Sequence, residues 1–435
     1  MKHILGPRSA FDGGLFLPDR KSLLARRPIQ TLHPDGPLQV PLTVRADLRT
    51  ECIVDVGDTV VRGQALARAM QGDAINAHAP TAGRVTAVGR VWTAHDGFLP
   101  SVTIEPDGTD QRTPRHQGWD EESLITQLAE HGVMCSEPRA PLHVVMRKAI
   151  ESGVTTLIVN AMETEPYLCS DLRTLVEYPS RMIDAICDLA DALCVSNAIL
   201  AVPYRHRRVV RRLRREVVGR HVTIEALANP YPQCHPVMLT KAILDIEVPV
   251  GGSPLDCSVV VLPLGSVRQA ADALLADEPV TDALITVAGD AIEHVGTYRV
   301  AVGTPLSHLA RRLDIRAPVR QVVVGGPLTG VAMGYRDAVV TSTMNGLLYF
   351  AHREDVRPVP CIRCGWCIED CPVGIDPQAL MKLEIVDQPS SQAVTDLKAC
   401  IECGLCSHVC PSRLPVAESI YRARTRVNSR SGDAS

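Results

Sequence analysis

Two stretches near the C-terminus carry chemistry in their spacing. "CIRCGWCIEDCP" supplies Cys361, Cys364, Cys367 and Cys371 before Pro372, and "CIECGLCSHVCP" supplies Cys400, Cys403, Cys406 and Cys410 before Pro411. Both read C-x-x-C-x-x-C-x-x-x-C-P, the spacing of bacterial two-cluster ferredoxins. The short gaps let a turning backbone aim three thiolates at one iron–sulfur cube while its N–H groups face the cluster sulfurs. The fourth cysteine lies across a helical turn and points at the neighbouring cube. The expected ligand sets are therefore Cys361, Cys364, Cys367 and Cys410 for one [4Fe–4S] cluster, and Cys400, Cys403, Cys406 and Cys371 for the other. Structural zinc also takes four thiolates, but it favours paired C-x-x-C knuckles over a four-cysteine run ending in Cys-Pro. Two such cubes, neither with an open iron position, mean electron transfer rather than substrate chemistry.

The chain that must position these ligands has 435 residues, enough for roughly two to four domains. Apolar residues make up 46% and charged residues 22% of it, as in ordinary soluble globular proteins. Aromatics are scarce at 3%, so the cores rest on Val, Leu, Ala and Ile. A net charge of −4 gives no electrostatic reason to expect nucleic acid as a partner. No apolar run approaches the ~20 residues of a membrane span. The N-terminus, "MKHILGPRSAFDGG", lacks the apolar core and cleavage site of a signal peptide. A cytoplasmic chain is expected, free to dock on a membrane partner. Seven cysteines outside the motifs (Cys52, Cys135, Cys169, Cys187, Cys194, Cys234 and Cys257) read as small buried hydrophobes.

Residues 1–39 form an arm rich in Pro and Gly, and 40–110 read as short strands with turns. Within the latter, "VDVGDTVVRGQALA" and "AHAPTAGRVTAV" resemble the two halves of a lipoyl-like barrel-sandwich domain. Residues 68–78, between the halves, contain no lysine to carry a prosthetic group, so the module reads as structural and His78 as a hydrogen-bonded turn residue. Residues 111–254 alternate helix-like and strand-like segments, as an α/β layer domain does. Helices are expected at Ser123–Glu130, Tyr178–Ala192 and Arg205–Val218, and strands at Thr155–Asn160, Ala198–Val202 and Val222–Leu227. The third helix carries "RHRRVVRRLRR", whose Val209, Val210 and Leu213 recur with Val217 at helical spacing: one buried face and one solvated basic face. Residues 255–350 look β-rich, with strands at Ser258–Leu262, Ala283–Val287, Thr297–Ala301 and Val322–Val324. "GGPLTG" (325–330) reads as a structural glycine turn. The ferredoxin module spans 351–425, and 426–435 have the composition of a disordered tail.

This order of modules resembles the RnfC (RsxC-like) family of the Rnf electron-transport complex, also called the SoxR-reducing complex. "FDGGLFLPDRKSLLARRPIQ", "AHAPTAGRV", "YPQCHPVMLTKAILDIEVPVGGSP" and "VVVGGPLTGVAM" stand where that family has its counterparts, ahead of the paired cluster motifs. The resemblance implies an α/β multidomain chain. Its parts would be a barrel-sandwich (lipoyl-like) N-terminal module, a complex-I flavin-subunit-like α/β domain, a β-grasp (SLBB-like) domain and a C-terminal helical two-cluster ferredoxin domain. It also implies that NADH reduces a non-covalent FMN and that the clusters pass electrons to membrane-bound partners. "NAMETEPYLCSD" is similar to the family's flavin strand and loop, N-[GA]-x-E-x-E-P-Y, matched by Asn160, Glu163, Glu165, Pro166 and Tyr167, with Asp171 beyond. Glu163 and Glu165 would then lie near the flavin or nicotinamide, or else cap and solvate a loop.

Two departures weigh against FMN and NADH. Where the family has a glycine-rich flavin phosphate loop, this chain has "CSEPRAPLHV", with no glycine and two prolines. Proline removes backbone donors where a phosphate needs them, and Glu137 adds negative charge there. Arg139, Arg147 or Lys148 could hold a phosphate by side chain only as a different site. The family's second flavin motif, N-V-x-T, appears as "PLGS", leaving Ser266 with a hydroxyl but no asparagine amide. The reading is an iron–sulfur electron-transfer protein of a redox complex, relaying electrons through two [4Fe–4S] clusters. Its partners would be the other subunits of that complex, membrane-bound, or a ferredoxin or redox enzyme, with the chain peripheral on the inner face of the cell membrane. The alternatives are an NADH-oxidising protein that contains FMN, or a reductase for a quinone, corrinoid or other redox-enzyme acceptor.

Overall fold

The run "TLIVN" is buried at every position and forms the strand Thr156–Asn160 inside a four-stranded parallel sheet. Its neighbours are Asn197–Pro203 on one side, with Val222–Leu227 beyond, and Val259–Pro263 on the other. Successive side chains point to opposite faces. Leu157 and Val159 enter a core shared with helices Leu142–Glu151, Pro179–Ala192 and Leu264–Ala276. Ile158 points the other way, into a core shared with helix Pro236–Leu244. Burial on both faces is why these strands read as continuous apolar runs. The computed structural model describes residues 11–114, 124–334, 337–353, 357–386 and 388–432. The arm's first ten residues, Ser123 and the last three residues expected as tail lie outside them.

One domain boundary is corrected here. The sequence reading opens a separate β-rich domain at residue 255, yet Val259–Pro263 pairs in parallel register with Thr156–Asn160. Helix Leu264–Ala276 then packs its Leu264, Val267, Ala270, Ala271 and Ala273 into the same core. A short apolar run does not say which sheet it joins, because pairing is settled by distant residues. The next sheet begins at Asp282–Ala288 and has six strands, in the order Gln30–Leu32, Gly296–Ala301, Asp282–Ala288, Gly346–Phe350, Gln321–Val324 and Val331–Met333. The N-terminal arm thus contributes an edge strand, Gln30–Leu32, parallel to Gly296–Ala301.

The barrel-sandwich module places strands Leu38–Pro41, Thr59–Val60, Gly83–Thr93 and Gly97–Pro106 in one sheet and Thr50–Cys52, Ala65–Ala69 and Ala77–His78 in another. Leu38, Val40, Val60, Leu66, Val85, Val102 and Ile104 fill the space between them. His78 is a strand residue paired with Ala65, not a turn residue. Among the scattered cysteines, Cys194 is exposed rather than buried, while Cys135 and Cys169 are buried. The basic helix, Arg207–Glu216, buries Val210 and Leu213 as its pattern requires. The C-terminal helix Val416–Gly432 runs on through most of the segment whose composition suggests disorder. Its Val416, Ile420 and Ala423 pack on Ile375, Leu380 and Leu397, and that contact carries the helix past the cluster motifs.

Candidate iron–sulfur site and flavin-like pocket

The sequence repeat becomes a backbone repeat. Arg363 and Glu402, each just before its motif's second cysteine, have φ of 55° and 54°. Gly365 and Gly404, just after it, have φ of 85° and 78°. Gly374 and Arg413, three residues past each motif's last cysteine, have φ of 67° and 53°. Alternating right- and left-handed residues curl successive N–H groups to one side, which is the arrangement an anionic cluster needs. Each loop then enters a one-turn helix, Trp366–Glu369 and Leu405–His408. Gln378 donates through its side-chain amide to the Cys361 sulfur at 3.3 Å.

The thiols are brought together across the two motifs. Burial raises the pKa of Cys400, Cys403 and Cys406, and each also feels the charge of Cys371 from the other motif. Cys367 is likewise raised first by burial and also feels Cys364 and Cys410. A cavity of about 790 Å³ is lined by Cys367, Cys371, Cys400, Cys403 and Cys406. Among the described residues no group of three His, Cys, Asp or Glu side chains is arranged to hold a single metal ion. Spread thiols around a sizeable cavity suit a polynuclear cube.

Residues far from the motifs in the sequence hold them in place. Tyr231, buried in the α/β domain, donates its hydroxyl to the Cys403 carbonyl at 2.5 Å. Arg424, on the C-terminal helix, donates to the Leu397 and Cys400 carbonyls and pairs with Glu402 at 2.7 Å. In the arm, the Gly14 amide donates to the Asp370 carbonyl at 3.0 Å, and Leu15 pairs with Tyr231. A Cβ at Gly13 would lie 2.8 Å from the Cys371 carbonyl oxygen, so only glycine lets the arm pass there. Tyr231 and Cys403 stand 172 positions apart, and nothing in local spacing links them.

The flavin-like pocket is assembled differently from what the resemblance implies. Glu163 accepts from the Ser170 hydroxyl and from the amides of Asp171 and Leu172 at 3.0–3.1 Å, which caps helix Ser170–Glu177. Glu165 accepts from the amides of Leu328 and Thr329 and from the Thr329 hydroxyl at 2.6–3.0 Å, anchoring the glycine turn. Tyr167 stacks edge-on against Phe350 at 5.8 Å. Asn160 donates to the Cys234 carbonyl at 2.7 Å. Each of these groups is committed to the fold.

At the loop itself, the Ser136 amide donates to the Ser266 hydroxyl at 3.2 Å. What remains between these two segments is a crevice of about 30 Å³, against roughly 300 Å³ or more for a typical ligand site. Arg139 pairs with Asp96, and Arg147 donates to the Gly72 carbonyl, so both cations serve the barrel-sandwich contact. The residues present do not fit FMN.

Burial by the surrounding protein pushes the Glu137 carboxyl up to about 7, although solvent reaches much of the residue and screens part of that effect. The native carboxyl keeps its proton to higher pH than the unfolded one, which releases it near 4.5. Between those values the folded state binds more protons, so stability falls as pH rises. Glu137→Gln should therefore raise stability at pH 8 by about 1 kcal/mol, after allowance for screening. That gain should shrink toward pH 5. Melting temperatures measured at the two pH values check this.

Fold and ligand set together define an iron–sulfur protein: two [4Fe–4S] clusters carried beside a barrel-sandwich module and a flavin-subunit-like α/β domain. Residues 9–109 match the RnfC barrel sandwich hybrid domain, 136–272 the Nuo51 FMN-binding domain and 360–414 the 4Fe-4S dicluster domain. The chain is 30% identical over 384 residues to the RnfC component of the ion-translocating oxidoreductase complex of Salmonella arizonae, covering 85% of this chain and 57% of that protein. The same component of Salmonella paratyphi A is 31% identical, with 85% and 52% covered. The chain is similar to these RnfC proteins over 85% of its own length and spans about half the length of the curated relatives it matches. A solved structure, an NAD+-reducing [NiFe]-hydrogenase in the air-oxidized state, shares the fold with a TM-score of 0.50 at 16% identity, covering 71% of this chain and 63% of that one.

Proposed function

We propose that this chain is the iron–sulfur relay of an Rnf-type redox complex and has no flavin site of its own. The observation that carries this is the placement of Cys371, which packs with Cys400 and Cys406 on one apolar core and lines one cavity with Cys400, Cys403 and Cys406. Cys361, Cys364, Cys367 and Cys410 hold the first cluster, and Cys400, Cys403, Cys406 and Cys371 the second. When bound, the clusters supply one-electron carriage. The chain's own part is to fix their separation, through the packed helices and the Tyr231 and Arg424 bonds, and to keep each loop's N–H groups aimed inward.

Electrons enter and leave through docked partners, either the other subunits of the complex or a ferredoxin or redox enzyme. The chain is peripheral on the inner face of the membrane, held there by membrane-bound partners. Among the described residues no helix is long and apolar enough to cross a membrane, and the RnfC relatives are named for an ion-translocating complex. The alternative of an NADH-oxidising FMN protein is disfavoured by the 30 Å³ crevice and by the committed carboxylates. Anaerobic purification should yield about eight iron and eight sulfide per chain and no stoichiometric FMN. Added NADH should leave the absorbance unchanged. Bound FMN that bleaches with NADH would overturn the reading.

A further inference from the structure

The two cluster motifs are copies of one another, and among the described residues only the second is covered. A Cβ at Gly404 would lie 2.8 Å from the Leu328 carbonyl, because the turn anchored by Glu165 sits on the second motif. At Gly365, the matching position of the first motif, nothing among the described residues lies within 4 Å. Leu405 is 1% exposed, whereas its counterpart Trp366 is 51% exposed. Ile401 is half-buried and lines the cavity, whereas Ile362 is 67% exposed. Ser407 corresponds to Ile368, so the first motif exposes an apolar side chain where the second has a hydroxyl. Residues 357–364, which include two of the proposed ligands, are exposed without interruption.

We propose that the face formed by Ile362, Gly365, Trp366 and Ile368 is a docking port for a separate redox protein. Its occupant caps the first motif as the chain's own turn caps the second. This rests on the electron-relay reading above. Apolar side chains kept in water at a cofactor loop lose free energy that a partner recovers. A central Trp flanked by two Ile residues is the composition of an interface hot spot rather than of a solvated loop. The occupant therefore presents an apolar surface that receives Trp366, and carries a one-electron cofactor close beneath it. The internal twin argues for protein rather than lipid, since what covers Gly404 is backbone and side chain of a tight turn.

The test uses the full chain, tagged and recovered with its complex from membranes. Ile362→Ser with Trp366→Leu and Ile368→Ser installs at two positions the residues that the second motif already folds with. Iron content and the EPR signals of both clusters should be unchanged, while retention of the adjoining cofactor-bearing partner should fall at least tenfold. A photo-crosslinking residue at position 362 should capture that partner, and one at position 385, exposed in the same domain, should not. Unchanged retention, or crosslinking of position 362 to a second copy of this chain or to lipid, would overturn the port. Lack of the clusters in the unsubstituted chain would instead remove the relay reading beneath it.

Discussion

Cys371→Ala is expected to destroy the cluster built on the second motif, although Cys371 belongs to the first by sequence. The same cluster should vanish in Cys403→Ala, and the other one in both Cys410→Ala and Cys364→Ala. Each single variant should lose about half of the iron and sulfide. Pairing the variants makes the prediction sharp. Cys371→Ala with Cys403→Ala should lose no more than either alone, because both strike one cube. Cys371→Ala with Cys364→Ala should lose both, because they strike different cubes. Iron and sulfide assays with EPR of the reduced protein read this out. If Cys371 instead behaved as Cys364 does, each motif would hold its own cube.

The physical basis is the position of the fourth cysteine. The helices Trp366–Glu369 and Leu405–His408 carry the chain away from the three thiols that precede or open them. Cys371 emerges after the first of these and packs with Cys400 and Cys406 on the ferredoxin core of Ile375, Leu380 and Leu397. The loss should stay local. The barrel-sandwich, parallel-sheet and six-stranded cores share no residue with the ferredoxin core, so the melting transition of the larger domains should move little.

What was legible in the sequence was whatever covalent spacing or backbone stereochemistry decides. The ligand runs declare themselves because cube geometry fixes the gaps between cysteines. The segment 135–144 shows its lack of glycine directly, and Pro138 and Pro141 offer no backbone donors. Strand Val222–Leu227 was placed to the residue for a similar reason, its apolar alternation being local. Contacts between distant segments were not legible. Val259–Pro263 joins the parallel sheet only because Thr156–Asn160 offers it an edge. A carboxylate on a loop serves a flavin or a cap equally well on paper. Only the fold shows that the amides of Asp171, Leu172, Leu328 and Thr329 reach Glu163 and Glu165. The two cluster motifs likewise look equivalent as text, and the turn that buries one of them is set by packing at Leu328, far upstream.

Glu165→Ala separates the cap from the flavin contact. The carboxylate is buried, and burial raises its pKa while the Thr329 hydroxyl and the Leu328 and Thr329 amides pull it back down. Removing it leaves three donors without their acceptor at a buried site, at a cost of about 2–4 kcal/mol. The consequence reaches the clusters. A Cβ at Gly326 would collide with the Glu165 carboxyl, so the turn is moulded on this side chain. The same turn covers Gly404 through Leu328. Once it loosens, a chelator should strip iron from the second cluster several-fold faster and leave the first unaffected. Glu165→Gln keeps an oxygen for Thr329 and loses mainly the Leu328 bond, so it should fall between the two, near ~1 kcal/mol. A carboxylate that served a flavin would behave otherwise: Glu165→Ala would then leave stability and iron retention intact and abolish an NADH-driven colour change. Chemical denaturation with a timed chelation assay distinguishes the outcomes. Three hydrogen bonds from one turn to one buried carboxylate make the stability loss the expected one.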